Sequence, residues 1–349
     1  MKKLGLLLII VAVEAQIIFP GEDGSFPVRS DSPTPVEIKT TDRNNKPTGL
    51  FFPDTPISPP RSSTGAIPDS SGIFSKPELT ATAPSVFPSE CGEVLVQRVV
   101  GGEISAPGEW PWLAAVGTKR RSTFTNQCGG ALITRHHVVS AQHCFQNEAF
   151  APNTVRLGEY DLTRTDDVPF GVTQDFAITQ RLIKDYNPTS LENDIVILVL
   201  DGEVKLSEYV QPVCLPFNYR NDDFSDKFLA VAGWGKTDFK TDSFSDVVQY
   251  VLLPVVNTSR CADSYSHSQG SIQPVIDDRN LCAGNGTKDS CSGDSGGPLH
   301  YLSLSDGRYY LTGIVSFGSG CGDPDYPGVY TRITRFLDWI TRNVQDSQN

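Results

Sequence analysis

Ser295 stands in the run Gly293-Asp294-Ser295-Gly296-Gly297. Glycines on both sides permit a tight turn and the close approach of another backbone. Such a turn holds a hydroxyl outward and aims backbone N–H groups at one point, as a serine nucleophile with a pocket for its oxyanion requires. The hydroxyl also needs a base, and the base an orienting carboxylate. The chain has five histidines: His136, His137, His143, His267 and His300. His143 follows the apolar run Val138-Val139-Ser140-Ala141 and precedes Cys144. Asp194 opens Ile195-Val196-Ile197-Leu198-Val199-Leu200, which reads as a buried strand.

Taken alone, the Gly-x-Ser-x-Gly pattern also fits a surface loop or the nucleophile elbow of α/β-hydrolases. In those hydrolases the acid and then the histidine follow the serine. Here only His300 follows Ser295, too close in sequence to come from a separate loop. The order His143, Asp194, Ser295 fits a different arrangement. From Val99 to about Asn343 the chain resembles the trypsin/chymotrypsin family of serine proteases. The motifs that carry the resemblance are Arg98-Val99-Val100-Gly101-Gly102, Ser140-Ala141-Gln142-His143-Cys144, Asn193-Asp194-Ile195, Gly233-Trp234-Gly235, the Ser295 block and Ser316-Phe317-Gly318. Two positions depart from the usual pattern. Gln142 replaces an alanine beside the histidine, and Phe317 replaces a tryptophan.

The resemblance implies that His143 is the base, Asp194 its orienting acid and Ser295 the nucleophile, with the Gly293 and Ser295 amides binding the oxyanion. It places Asp289 at the base of the primary pocket, where a carboxylate pairs with a substrate Arg or Lys. Ser290, Ser316, Phe317, Gly318 and Gly328 would complete the pocket. It implies activation by a trypsin-like enzyme that cuts after Arg98, freeing the Val99 ammonium to pair with Asp294. Protein substrates and protein inhibitors are the expected partners.

The elements needed to position these groups read as all-β. Val138–Ala141, Thr154–Leu157, Asp194–Leu200, Leu229–Ala232, Tyr250–Val256 and Tyr309–Val315 are β-branched or aromatic runs separated by turn residues. That spacing suits two packed barrels, and the resemblance implies two six-stranded antiparallel barrels with the site between them. One C-terminal helix follows from the spacing of Ile333, Phe336, Leu337, Ile340 and Val344.

The 349 residues divide further upstream. Met1-Lys2-Lys3 with the apolar run Leu4 to Val13 reads as a signal peptide over residues 1–15, which predicts a secreted protein. That run is too short to span a bilayer, and no other stretch is long enough. Residues 16–98 form a pro-region ahead of a protease domain at 99–349. Thirteen of the 25 prolines lie between Gln16 and Glu90, with scattered apolar residues and no cysteine. This composition predicts disorder. Arthropod haemolymph proteases of this family often carry a six-cysteine clip domain there; this segment lacks the cysteines for one. A net charge of −12 argues against nucleic acid as a partner.

Eight cysteines behind a signal peptide imply disulfides; zinc is disfavoured because no C-x2-C pair occurs. Arithmetic leaves the connectivity open. The resemblance selects Cys128–Cys144, Cys261–Cys282 and Cys291–Cys321, leaving Cys91 and Cys214 to tether the pro-region as a light chain. The long pro-region and this tether favour a cascade enzyme over a digestive one. The complete triad disfavours an inert protease-like binding protein. Three further features remain open. Glu159 and Asp161, with Asp166 and Asp167 beyond, form either a calcium loop or a solvated acidic one. Lys119-Arg120-Arg121 is a basic face that either steers acidic partners or is merely solvated. Asn257 and Asn285 begin N-glycosylation sequons.

Overall fold

The computed structural model describes residues 83–94, 104–169, 171–236, 244–266, 272–284, 294–319, 323 and 325–348. Among them, twelve strands form two closed antiparallel barrels of six. The first contains β1 (Leu113–Arg120), β2 (Thr123–Thr134), β3 (His137–Ser140), β4 (Thr154–Leu157), β5 (Gln174–Ile183) and β6 (Val196–Leu200), in the closed order β1-β2-β3-β6-β5-β4. The second contains β7 (Phe228–Gly233), β8 (Gln249–Val256), β9 (Asn280–Ala283), β10 (Pro298–Leu302), β11 (Tyr309–Phe317) and β12 (Gly328–Arg332), in the order β10-β11-β12-β9-β8-β7. The two-barrel expectation holds.

All six strands expected from the sequence are present, with ends shifted by up to two residues. Asp194 and Ile195 precede β6 rather than opening it. This matters for the site, because Asp194 is freed from the ladder. The remaining six strands escaped the sequence reading because their runs carry glycines or polar residues, as in β2, or are only four or five residues long, as in β9 and β12. Closure removes every exposed barrel edge. The β-branched and aliphatic residues of both barrels pack inward, with Leu132, Ile197, Leu198, Leu229 and Leu253 fully buried.

Two α-helices occur among the described residues. The expected one, α2 (Leu337–Asp346), follows a short 3-10 turn at Ile333–Arg335 and buries Leu337, Ile340 and Val344. The other, α1 (Thr258–Tyr265), was not expected. Asn257 caps it by accepting from the Ser259 and Arg260 amides. Its eight residues are too few for periodicity to show.

Cys91–Cys214, Cys128–Cys144 and Cys261–Cys282 are bonded as anticipated. The expected Cys291–Cys321 bridge lies outside the described residues, as do the expected signal peptide, most of the expected pro-region and the Arg98–Val99 junction. The end of the proposed pro-region behaves differently from its expected disorder. Within residues 83–90, Phe87 is buried beside Phe217 at 5.6 Å between ring centres. Beyond the Cys91 bridge, the Gly92 amide donates to Pro212 and its carbonyl accepts from Tyr309. Arg308 donates to the Ser89 carbonyl at 2.7 Å and to Glu93 at 2.8 Å. An aromatic anchor, a covalent link and backbone pairing together offset the ordering entropy that composition alone predicts would win.

Candidate active site

His143 lies in a 3-10 turn (Gln142–Phe145) directly after β3, and Asp194 lies directly before β6. Strands β3 and β6 are hydrogen-bonded neighbours, with Ser140 opposite Val196. The apolar runs noticed in the sequence therefore deliver His143 and Asp194 to one barrel end. Nδ1 of His143 is 2.7 Å from Asp194 Oδ2, and the His143 backbone amide donates to Oδ1 at 2.9 Å. The Ser316 hydroxyl, from β11 of the second barrel, donates to Oδ2 at 2.5 Å. Asp194 is thus a buried carboxylate with three donors, and an ionised carboxylate needs such donors to remain buried. Its backbone carbonyl also accepts from the Thr331 hydroxyl of β12 at 2.7 Å.

Two opposing causes act on His143. Burial pulls its pKa down, but the charge of Asp194 and the hydrogen bond to it prevail, so the imidazole titrates above the ordinary 6.5. His137 shows the result of burial without a carboxylate: it is lowered to about 4 by burial and by its neighbour His136. His300, the histidine that follows Ser295, is fully buried and accepts from the Trp112 indole at 2.6 Å. Its Nδ1 donates to the Ala230 carbonyl. It packs the interior between the barrels and takes no part in the cleft.

Ser295 sits in the turn that precedes β10. Its carbonyl accepts from the Gly129 amide of β2 at 2.7 Å, fastening the serine turn to the first barrel. The sulfur of Cys144 lies 3.9 Å from His143 Nε2 and 3.9 Å from the Ser295 carbonyl oxygen. His143 and the Ser295 backbone therefore both border the Cys128–Cys144 bridge. The two sulfurs and the imidazole lie within 4.8 Å of one another, but both sulfurs are committed to the disulfide and are not free to bind a metal. Gly296 is required here. Its φ is +76°, and a side chain would overlap the Ser140 hydroxyl and the Gly129 carbonyl. Asp294 lies over Gly233 and Gly235, whose missing side chains leave room for its carboxylate, and accepts from the Gly235 amide at 2.9 Å. That is the physical content of the Gly-Trp-Gly motif.

Of the expected pocket residues, Phe317 ends β11 and Gly328 opens β12, on paired strands. Gly318 is exposed beside them. Ser316 has its hydroxyl committed to Asp194 rather than to a ligand. Tyr265 of α1 supports this wall edge-on to Phe317, and its hydroxyl donates to the Pro327 carbonyl. Asp289, Ser290, Gly293 and Asn285 lie outside the described residues.

Sequence reasoning missed Arg279. It precedes β9 in the second barrel and reaches the first, donating to Glu192 at 2.6 Å and, more loosely, to Asn193 at 3.4 Å. Asp277 holds the same guanidinium at 2.9 Å. Glu192 and Asn193 adjoin Asp194, in a loop where Leu191 and Asn193 both have positive φ. A lone arginine carries no local motif, so only the folded arrangement reveals it.

In the acidic loop, Glu159 accepts from Arg156 and from the Tyr160 amide. Burial raises its pKa, assisted by nearby Asp167. Asp167 Oδ1 is buried without a hydrogen-bond partner.

A family model described as Trypsin matches residues 99–340. The chain is 38% identical over 301 residues to the proclotting enzyme of Tachypleus tridentatus, covering 79% of this chain and 77% of that protein. It is 34% identical over 298 residues to phenoloxidase-activating factor 1 of Holotrichia diomphalia, covering 79% of each. A third relative, the venom serine protease Bi-VSP of Bombus ignitus, is 40% identical over 263 residues, or 72% of this chain and 70% of that protein. Twin six-stranded barrels with a histidine–carboxylate pair and a glycine-flanked serine at their junction define a class, the serine proteases. Within it, this chain belongs to the trypsin family.

Proposed function

We propose that the chain is the secreted precursor of an endopeptidase that cleaves protein substrates after Arg or Lys, and that cleavage between Arg98 and Val99 switches it on. The observation that carries the catalytic part is the 2.7 Å contact from His143 Nδ1 to a fully buried Asp194, beside the Ser295 turn. In this reading His143 Nε2 takes the proton of the Ser295 hydroxyl as the oxygen attacks the scissile carbonyl. The resulting imidazolium is held by Asp194, which its other donors hold in place. The Gly293 and Ser295 amides stabilise the oxyanion; His143 then protonates the leaving amine, and water repeats the cycle on the acyl-enzyme. Asp289 selects the basic side chain.

Activation rests on Asp294. A Val99 ammonium freed by the cut would add a charge partner to a carboxylate already seated on the Gly235 amide, an ion pair that acts as a switch. The three disulfides formed among the described residues suit an oxidising compartment. Relatives named as a proclotting enzyme and a phenoloxidase-activating factor support limited proteolysis within an extracellular cascade. The test is cleavage of peptide panels by protein cut after Arg98, together with Ser295→Ala, Asp289→Ser and Arg98→Ala. Cleavage after Arg and Lys should vanish in Ser295→Ala and Asp289→Ser, and Arg98→Ala should resist activation. Full activity in Arg98→Ala would refute the switch.

Calcium at Glu159 and Asp161 belongs to the same proposal, with the partnerless Asp167 oxygen as its support. Both Glu159 oxygens are taken by Arg156 and the Tyr160 amide and one Asp161 oxygen by Thr163, so a hard cation would have to displace these donors to reach the carboxylates. Calcium, but not magnesium, should raise the melting temperature, and Asp167→Asn should remove the effect. A glycan on Asn257 is compatible with that residue's exposed position at the start of α1.

A further inference from the structure

The basic run forms the tip of the β1–β2 hairpin. Arg120 pairs with Thr123, and Arg121 occupies the turn with φ +57°. Glycine or asparagine makes such a turn without strain. Arginine is held there against local preference.

The hairpin's two faces differ in charge. On one, Lys119 pairs with Asp175 at 2.7 Å; Asp175 also takes Arg156, whose guanidinium lies 4.4 Å from the centre of the Phe124 ring. That face is neutralised. On the other, the Thr118 hydroxyl meets Gln127 at 2.7 Å, and strand alternation brings Arg120 to the same side. Gln127 donates to the Phe150 carbonyl at 2.9 Å, fixing a residue whose large apolar side chain is 66% exposed. Arg120 and Arg121 are exposed and have no ion-pair partner among the described residues. The whole chain carries −12, so this uncompensated pair stands against the general charge.

Strand β2 joins this tip to the reactive centre, because Gly129 bonds the Ser295 carbonyl. Phe150 lies alongside Gln127, two residues from Gly129. Arg120 lies opposite Thr123, six residues along β2 from Gly129, and Arg121 lies beyond it in the turn, so both are about 20–26 Å from Gly129 at ~3.3 Å per residue.

We propose that Phe150, Arg120 and Arg121 form a docking strip outside the reactive centre for an acidic segment of the protein substrate. The fitting segment is extended, with an apolar residue near the scissile bond and Asp or Glu about six to eight residues from it, the number that spans the same distance. The inference rests on the protease reading and names the substrate class. Complementary charge at the rim acts mainly on encounter and partner choice.

The test uses the full chain cleaved after Arg98. A short Arg amide is compared with two longer peptides that carry three glutamates on one or the other side of the scissile bond, each matched to a glutamine version. The glutamate peptide on one side should be cleaved with kcat/KM about tenfold above its glutamine match, a preference that weakens as salt rises. Arg120→Glu with Arg121→Glu should erase the preference while the short amide is cleaved as before, and Phe150→Ala should reduce it. Equal cleavage of the glutamate and glutamine versions on both sides, or a preference that survives charge reversal, would overturn the strip. Separately, a labelled glutamate peptide should bind the Ser295→Ala protein in a salt-dependent way that requires Arg120 and Arg121. Binding of heparin in its place would also overturn the proposal. Failure to cleave the short amide would instead refute the protease reading, while the Ser295→Ala binding measurement would still decide the strip.

Discussion

Ser316→Ala isolates one hydrogen bond at Asp194, the proposed orienting acid. The hydroxyl is buried and donates to Asp194 Oδ2 at 2.5 Å, the same oxygen that holds His143. Deleting one oxygen leaves the barrel packing nearly intact, and two donors from His143 remain. A hydrogen bond to an ionised group contributes about 1.5–3 kcal/mol. If half or more of that is expressed when the imidazolium forms, kcat falls roughly four- to 150-fold at ~1.4 kcal/mol per factor of ten. KM should barely move, since the hydroxyl faces the acid. The sign of the pH effect follows by linkage. A bond expressed when the imidazolium forms favours the protonated ring, so its loss lowers the imidazole pKa. The acid limb of kcat should therefore move to lower pH. Steady-state kinetics with a small peptide amide from pH 5 to 9 measure both effects. An unchanged kcat with an unmoved limb would refute the assignment of Ser316 to the acid.

In the unaltered enzyme, kcat/KM should rise with pH along a limb centred above 6.5, because His143 must be neutral to accept a proton and Asp194 outweighs its burial. Asp194→Asn leaves burial as the main influence, so any residual activity should show a limb below 6.5. Arg279→Ala should lower kcat about three- to tenfold through the Glu192–Asn193 loop, with KM steady and partial rescue by Arg279→Lys; a change in melting temperature alone would make Arg279 merely structural. Once the chain is cut after Arg98, mild reduction of Cys91–Cys214 should not release the upstream piece, because Phe87 and Arg308 hold it. Phe87→Ala, costing about 3 kcal/mol, should release it on a sizing column.

The barrels were legible where a strand is a continuous apolar run, as in β6, because both of its faces are buried. They were illegible at β2, whose Gly129 and Gly130 are small for reasons visible only across space: Gly129 abuts the Ser295 turn and Gly130 abuts Val138. His143, Asp194 and Ser295 could be named because each sits in a local motif whose chain order restricts the arrangement. Ser316 was seen as a pocket residue, since its neighbours Phe317 and Gly318 suggested a wall, and nothing local announces a hydroxyl turned toward an acid 122 residues away. Thr331 and Arg279 escaped for the same reason. The docking of residues 83–94 was hidden by composition, which counts prolines but cannot see one phenylalanine meeting another.

The seat of Phe87, Cys91 and Gly92 also sets where the upstream chain joins the protease. The chain reaches that seat through residues that are clamped from three directions, so a foreign module spliced ahead of Ala83 would be mounted at a constant address on the enzyme. Exchanging such cargo could redirect where the protease accumulates without rewriting its bond-cutting chemistry.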